Sequence, residues 1–198
     1  MLLDDEANWD QPLFPIGVIA RGGRFSANTA RSWKQRGHVT LEAKRAAANG
    51  LADLLTFRSG LTLGVTAELV ELGETPKAAF YAATMWANFS DEGQTSAYVE
   101  APRRGPGGLY PPEWHTLMVS SSAPDLYTVI PTPRVNQVDG IFLPMVELVQ
   151  AGGSRVRIVV LNVVHARMRA ACDEHLRKTT RRTFADMKAE LQRGLRGS

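Results

Sequence analysis

The chain has 198 residues, 44% hydrophobic and 22% charged, with a formal net charge of +3. These values exclude a disordered or fibrous chain and leave room for one or two modest cores. The apolar runs, such as residues 158–164, are far too short to span a bilayer, the acidic start lacks the basic region of a secretory signal, and the single Cys172 excludes an internal disulfide; a cytoplasmic protein with no membrane association is expected.

Residues 1–12 carry Asp4, Asp5, Glu6 and Asp10 with no basic residue and read as an acidic tail. Residues 14–39 then set out two short helices. Ile16, Val18, Ile19 and Ala20 form the apolar side of the first, and Gly22 and Gly23 supply a turn. Ser26 is a good N-cap, because its hydroxyl accepts from a free backbone N–H in the next turn. Gly37 falls where a helix needs a left-handed stop. Between them Ala30 and Trp33, three apart, share a face that is expected to pack on Ile16 and Ile19. Asn28, Arg31, Ser32, Gln35 and Arg36 are left facing outward. Asn and Arg carry paired hydrogen-bonding groups that match adenine and guanine edges, and Ser and Thr suit phosphate oxygens. A tight pair of helices whose second member is basic and polar outside is how a helix is offered to the major groove.

The segment IGVIAR followed by SANTARSWKQRG resembles the opening of MerR-type winged helix-turn-helix regulators. In that family an IGExA helix precedes a recognition helix of pattern vs..T.R.ye..G. Thr29, Arg31, Trp33 and Gly37 fall on the matching positions, with Trp33 in place of the usual tyrosine. Ser32 stands where an aromatic is often found. The resemblance covers about 75 residues and implies a wing next, in the Ala-rich residues 38–57, closed at Leu55-Thr56-Phe57 without the family's usual arginine. It also implies that Arg24, Ser26, Thr29, Lys34, Lys44 and Arg45 hold the DNA backbone, the last two from the wing.

Charge is distributed accordingly. Residues 11–60 carry eight basic residues (Arg21, Arg24, Arg31, Lys34, Arg36, Lys44, Arg45 and Arg58) against two acidic ones, a net of +6, whereas residues 61–100 net −5. Positive charge thus coincides with the proposed reading unit, as counterion release from phosphates requires, and the acidic helices should face away from a duplex. Residues 57–73 pattern as an amphipathic helix, with Leu61, Leu63, Val65, Leu69, Val70 and Leu72 on its apolar side and Gly73 as its stop. Thr75 caps the next helix and Pro76 takes its first position, where a missing N–H costs nothing. Ala79, Phe80, Ala82, Ala83, Met85 and Trp86 are expected to pack against the helix before. The resemblance implies that these two helices complete a DNA-binding domain of residues 13–90.

Residues 91–113 read as a Gly/Pro-rich linker in which Arg103 and Arg104 are free to brush DNA; no strand, lysine or hydroxyl makes its glycines a phosphate loop. Residues 114–198 change texture. Runs rich in β-branched and aromatic residues at 116–120, 126–130, 140–149 and 155–164, parted by turn-forming clusters, predict a small, mainly antiparallel sheet. The last run begins by alternating and ends continuously apolar, as a central strand does. One or two helices follow to the end, with Arg177, Lys178, Arg181, Arg182, Lys188, Arg193 and Arg196 giving residues 166–198 a net +5. That cluster reads as a solvated face, a second DNA contact or a dock for a protein such as RNA polymerase.

Catalysis is not expected. Cys172, Asp173 and His175 lie together on one stretch of helix, whereas a nucleophile and its base normally come from separate elements. His38, His115, His165 and His175 lack the spacing of a closed zinc site, and one cysteine is too few for the thiolate sensing found in the MerR family. No metal or cofactor is expected. The sequence therefore predicts an α+β protein: an all-α winged helix-turn-helix domain in front and an α+β dimerisation or regulatory domain behind. Its expected function is that of a transcription regulator binding double-stranded DNA as a homodimer, since one recognition helix reads only about four base pairs. Two alternatives are a DNA-packaging or recombination accessory protein, of the small-terminase or excisionase kind, and a protein–protein adaptor.

Overall fold

The computed structural model describes residues 2–40, 54–90, 103–121, 127–133 and 156–196. It is α+β, as expected, with five α-helices and two small antiparallel sheets among the described residues. β1 (Phe14–Pro15) leads into α1 (Ile16–Gly22) and α2 (Ala27–Gln35); β2 (Leu54–Leu55) returns to pair with β1 and opens α3 (Phe57–Glu71) and α4 (Pro76–Asn88). A second sheet of order β4-β3-β5 is built from β3 (Trp114–Ser121), β4 (Tyr127–Pro133) and β5 (Val156–Val160), and α5 (Leu161–Arg196) follows.

Helix ends form where local chemistry dictates. Ser26, Thr56 and Thr75 each sit in extended conformation and accept from a backbone N–H three residues on. Gly37 (φ 70) and Gly73 (φ 90) adopt the left-handed stop, and in each case a six-residue backbone bond closes it: His38 N to Trp33 O, and Glu74 N to Leu69 O, both 2.9 Å.

One core runs through both halves of the chain. Phe14, Ile19, Phe57, Leu61, Leu63, Leu69 and Trp86 from before residue 91 join Met118, Val159, Leu161, Val164, Met168 and Cys172 from after residue 113. Several sequence expectations give way to this. The acidic tail at 1–12 is a folded part of the core: Leu3 and Trp9 are 1% and 4% exposed, and the Trp9 indole N–H donates to Leu3 O at 3.1 Å. Asp4 pairs with Arg169 and Asp10 with Arg58, so the acids at this end neutralise internal bases. Helix α3 is not amphipathic but central; every residue from Gly60 to Ala67 is buried because α1, α4 and α5 enclose it, and Leu72, assigned to its apolar face, is 47% exposed. Trp33 does not pack on Ile16 and Ile19; it closes over Phe25, Val39, Ala67, Val70 and Phe80. Only Val156–Val160 of the run at 155–164 is a strand: α5 begins at once, and among the described residues β5 lies at the side of a sheet centred on β3. The strand expected at 140–149 lies outside the described residues.

The stretch expected as a free linker is ordered where it is described. Gly107 N donates to Trp86 O at 3.0 Å, and Arg104 is 7% exposed with its Nη1 on the carbonyls of Trp86 and Phe89. Arg104 thus satisfies the carbonyls that α4 leaves open at its end, and only Arg103 of the pair is exposed. Arg58 does similar work: it donates to both Asp10 oxygens and to the carbonyls of Ala87 and Pro106, with its guanidinium 5.8 Å over the Trp9 ring. Arg58 and Arg104 are therefore internal fasteners.

The glycines between α1 and α2 also act differently from a plain turn. The left-handed residue there is Arg24 (φ 58), and Phe25 N closes onto Ala20 O at 3.0 Å. Gly22 and Gly23 serve close packing instead: a Cβ on Gly22 would lie 3.0 Å from Met168 Cα, and one on Gly23 would lie 2.4 Å from the Phe25 ring.

Candidate nucleic-acid interface

Helix α2 is anchored along one side and bare along the other. At 3.6 residues per turn, Ala30 and Trp33 point one way, and both are buried. Asn28, Arg31, Ser32 and Gln35 form the opposite ridge; Asn28, Arg31 and Gln35 are exposed and Ser32 is half-buried. Lys34 and Arg36 flank them and are exposed, as is Arg24 in the preceding turn. Ser26 Oγ accepts from Thr29 N at 2.9 Å and lies 2.8 Å from Thr29 Oγ1, so these two hydroxyls fix the start of the helix. On the outer ridge Arg31 Nη1 donates to Asn28 Oδ1 at 2.9 Å.

Nine of the eleven residues singled out from sequence therefore lie on or beside α2, seven of them exposed and Thr29 and Ser32 half-buried. Lys44 and Arg45 lie outside the described residues. What brackets them is described: Thr40 leaves α2's end and Leu54 returns as β2, pairing Leu54 with Pro15 and Leu55 with Phe14. Thr56 and Phe57, expected to close a wing, are the cap and first residue of α3, and Phe57 is fully buried.

The surrounding electrostatics favour this surface. Two acids of α3 and its following turn are paired: Glu68 with Arg167, and Glu74 with Arg157 at 2.7 Å. Arg21 lies 3.5 Å from Glu174, whose carboxyl is held below its usual range first by a hydrogen bond from Lys178 and then by Arg21. Arg24, Arg31, Lys34 and Arg36 make no ion pair among the described residues, so their charge is available to an anion.

Burial, aided by the nearby Asp173 carboxylate, pushes the Cys172 thiol up to about 12, far from the thiolate a nucleophile needs. The native thiol should therefore be inert to a thiol-specific reagent at pH 8 and react fully in denaturant; rapid labelling of the folded chain would overturn that assignment. No cluster of three or more His, Cys, Asp or Glu side chains able to hold a metal occurs among the described residues. No described helix is long and apolar enough to cross a membrane. A polar cleft of about 330 Å³ opens between the α3–α4 pair and Thr40, lined by Asp10, Thr56, Arg58, Thr62 and Thr84 among others.

Sequence reasoning missed Arg58 and Arg104 as internal fasteners and the packing role of Gly22 and Gly23. Their partners lie on distant parts of the chain, and no local pattern signals them. No protein-family model matches the chain, and no curated protein is similar to it at a significant level.

Proposed function

We propose that this protein is a sequence-specific, double-stranded-DNA-binding transcription regulator of MerR-like winged helix-turn-helix type, acting as a homodimer. The observation that carries the proposal is the two-sided character of α2. Its apolar side is locked into the protein by Ala30 and Trp33, while Asn28, Arg31 and Gln35 stand in solvent beside three cations with no ion pair among the described residues. An exposed arginine and two amides along one ridge suit base edges, and Arg24, Ser26, Thr29, Lys34 and Arg36 suit the flanking phosphates. The short β1–β2 pair on either side of residues 41–53 suits a wing carrying Lys44 and Arg45 to the backbone.

Arg31→Ala should weaken binding to the preferred duplex by about 1–3 kcal/mol in a mobility-shift assay, and a Lys34→Ala change should act nearly equally on all sequences while flattening the salt dependence. Equal affinity of wild type and Arg31→Ala for every duplex would refute the reading role. Ring-shaped assemblies acting with an ATPase would point to packaging instead, and binding indifferent to salt would point to an adaptor.

A further inference from the structure

We propose that Asn28 is a positioning residue that holds Arg31 for a guanine, so that the two side chains read one G·C pair as a unit; this rests on the DNA-binding reading of α2. The hydrogen bond from Arg31 Nη1 to Asn28 Oδ1, at 2.9 Å, joins two exposed side chains one turn apart on the ridge opposite Ala30 and Trp33. It differs from the other arginine contacts of the described residues. Arg21, Arg58, Arg157, Arg167 and Arg169 are each paired with a carboxylate, and Arg104 and Arg177 donate to backbone carbonyls. Arg31 is held by a neutral amide oxygen, which fixes the guanidinium without cancelling its charge.

The chemistry of the fork then selects the base. A guanidinium has five N–H donors in one plane, and the bond to Asn28 uses one of them. Those that are left suffice for the two parallel bonds to O6 and N7 of a guanine in the major groove. An arginine loses considerable rotamer freedom when it is ordered, and a side chain already tethered loses less on binding. Asn28 acting alone would read adenine, but that contact needs its amide oxygen as well as its nitrogen, and the oxygen is engaged. The pair lies in the first half of α2, the part of a recognition helix that meets base edges.

The test is selection of binding sites from a pool of random duplexes by the full chain, alongside Arg31→Ala, Asn28→Ala and Asn28→Asp, with thermal melts to check that each variant folds. Wild type should enrich a site with a fixed G·C pair, and Arg31→Ala should lose the preference at that pair. Asn28→Ala should lose on the order of tenfold in preference at the same pair. Asn28→Asp keeps an oxygen acceptor, so it should restore the guanine preference even as added negative charge weakens binding overall. Undiminished guanine preference in Asn28→Ala makes Asn28 a bystander and overturns the pairing alone. Loss in Asn28→Ala at a separate A·T pair shows Asn28 reading adenine by itself and also overturns it. A wild-type chain that enriches no sequence overturns the DNA-binding reading of α2 and the pairing together.

Discussion

Gly22→Val should lower stability by about 3 kcal/mol, near the upper end for forcing extra atoms into a packed core, while Gly17→Ala in the same helix should raise it by about 0.5–1 kcal/mol. Both positions are glycines of α1, yet their surroundings are opposite. A Cβ at Gly22 would stand 2.8 Å from Met168 Sδ, 3.0 Å from Met168 Cα and 3.2 Å from Ala171 Cβ, so α5 itself has to move back. At Gly17 a Cβ meets nothing within 4 Å, and alanine simply favours the helix. The seam continues on α3: at Gly60 a Cβ would lie 2.7 Å from Ile19 Cδ1 and 3.1 Å from Met168 Sδ, and at Gly64 3.0 Å from Val164 Cγ1. Those neighbours are side-chain ends that can yield, which is why Gly22, facing backbone, should be the most sensitive. For a chain of this size the Gly22→Val loss corresponds to a melting temperature about 10 °C lower. A Gly22→Val variant that melts with wild type would show that α1 and α5 do not meet as described.

Acid should destabilise the protein through His165. The imidazole is buried between the rings of Trp9 and Phe57, 5.4 and 5.6 Å away. Burial, with the Arg169 guanidinium adding repulsion, depresses it from 6.5 to about 4. The charged groups around it are Arg169 on its own helix, Asp4 paired with that arginine, and Arg58 over the Trp9 ring with Asp10 beyond. In the unfolded chain the histidine takes a proton as pH falls through 6.5, whereas in the folded protein it resists until about 4. Unfolding therefore binds a proton across that window. The native state keeps its full stability above pH 6.5 and loses about 3 kcal/mol by the time the pH has passed below 4. Denaturant unfolding of wild type and His165→Leu between pH 7 and pH 4.5 measures this. The wild-type midpoint should fall more steeply than that of the variant, whose remaining slope reports the carboxylates. Parallel slopes would show that His165 is not the group responsible.

The features legible from sequence are those whose cause is local. A hydroxyl at Ser26 or Thr75 meets an N–H three residues on, Pro76 fits a first helical turn, and Gly37 and Gly73 relieve a left-handed bend; each of these can be worked out from a handful of neighbouring letters. The outward ridge of α2 followed from the same reasoning, since Ala30 and Trp33 define its inner side by spacing alone. What Trp33 packs against did not follow, because its partners Ala67, Val70 and Phe80 lie on α3 and α4. Leu3 and Trp9 were hidden by the acids around them, and the carboxylates of Asp4 and Asp10 read as solvated when their bases lie far along the chain. Gly22 and Gly23 signalled a bend, whereas their use is to admit another backbone; the bend itself falls on Arg24, a residue type that carries no such signal. Residues 155–164 illustrate a limit of pattern. A continuous apolar run suits a buried strand and a buried helix equally, and here it is one and then the other.

The junction of Asp4 with Arg169 spans 165 positions of chain, and Met168 beside it fills the seam formed by Gly22, Gly60 and Gly64. During synthesis α2 is complete long before the surface that braces α1 behind it emerges from the ribosome. The backing of α1 is supplied late, whereas Trp33 of α2 finds its partners on α3 and α4. Cutting the gene after α4 would not yield a free-standing unit: it would leave α1 and α3 with a greasy trench where the distal helix belongs.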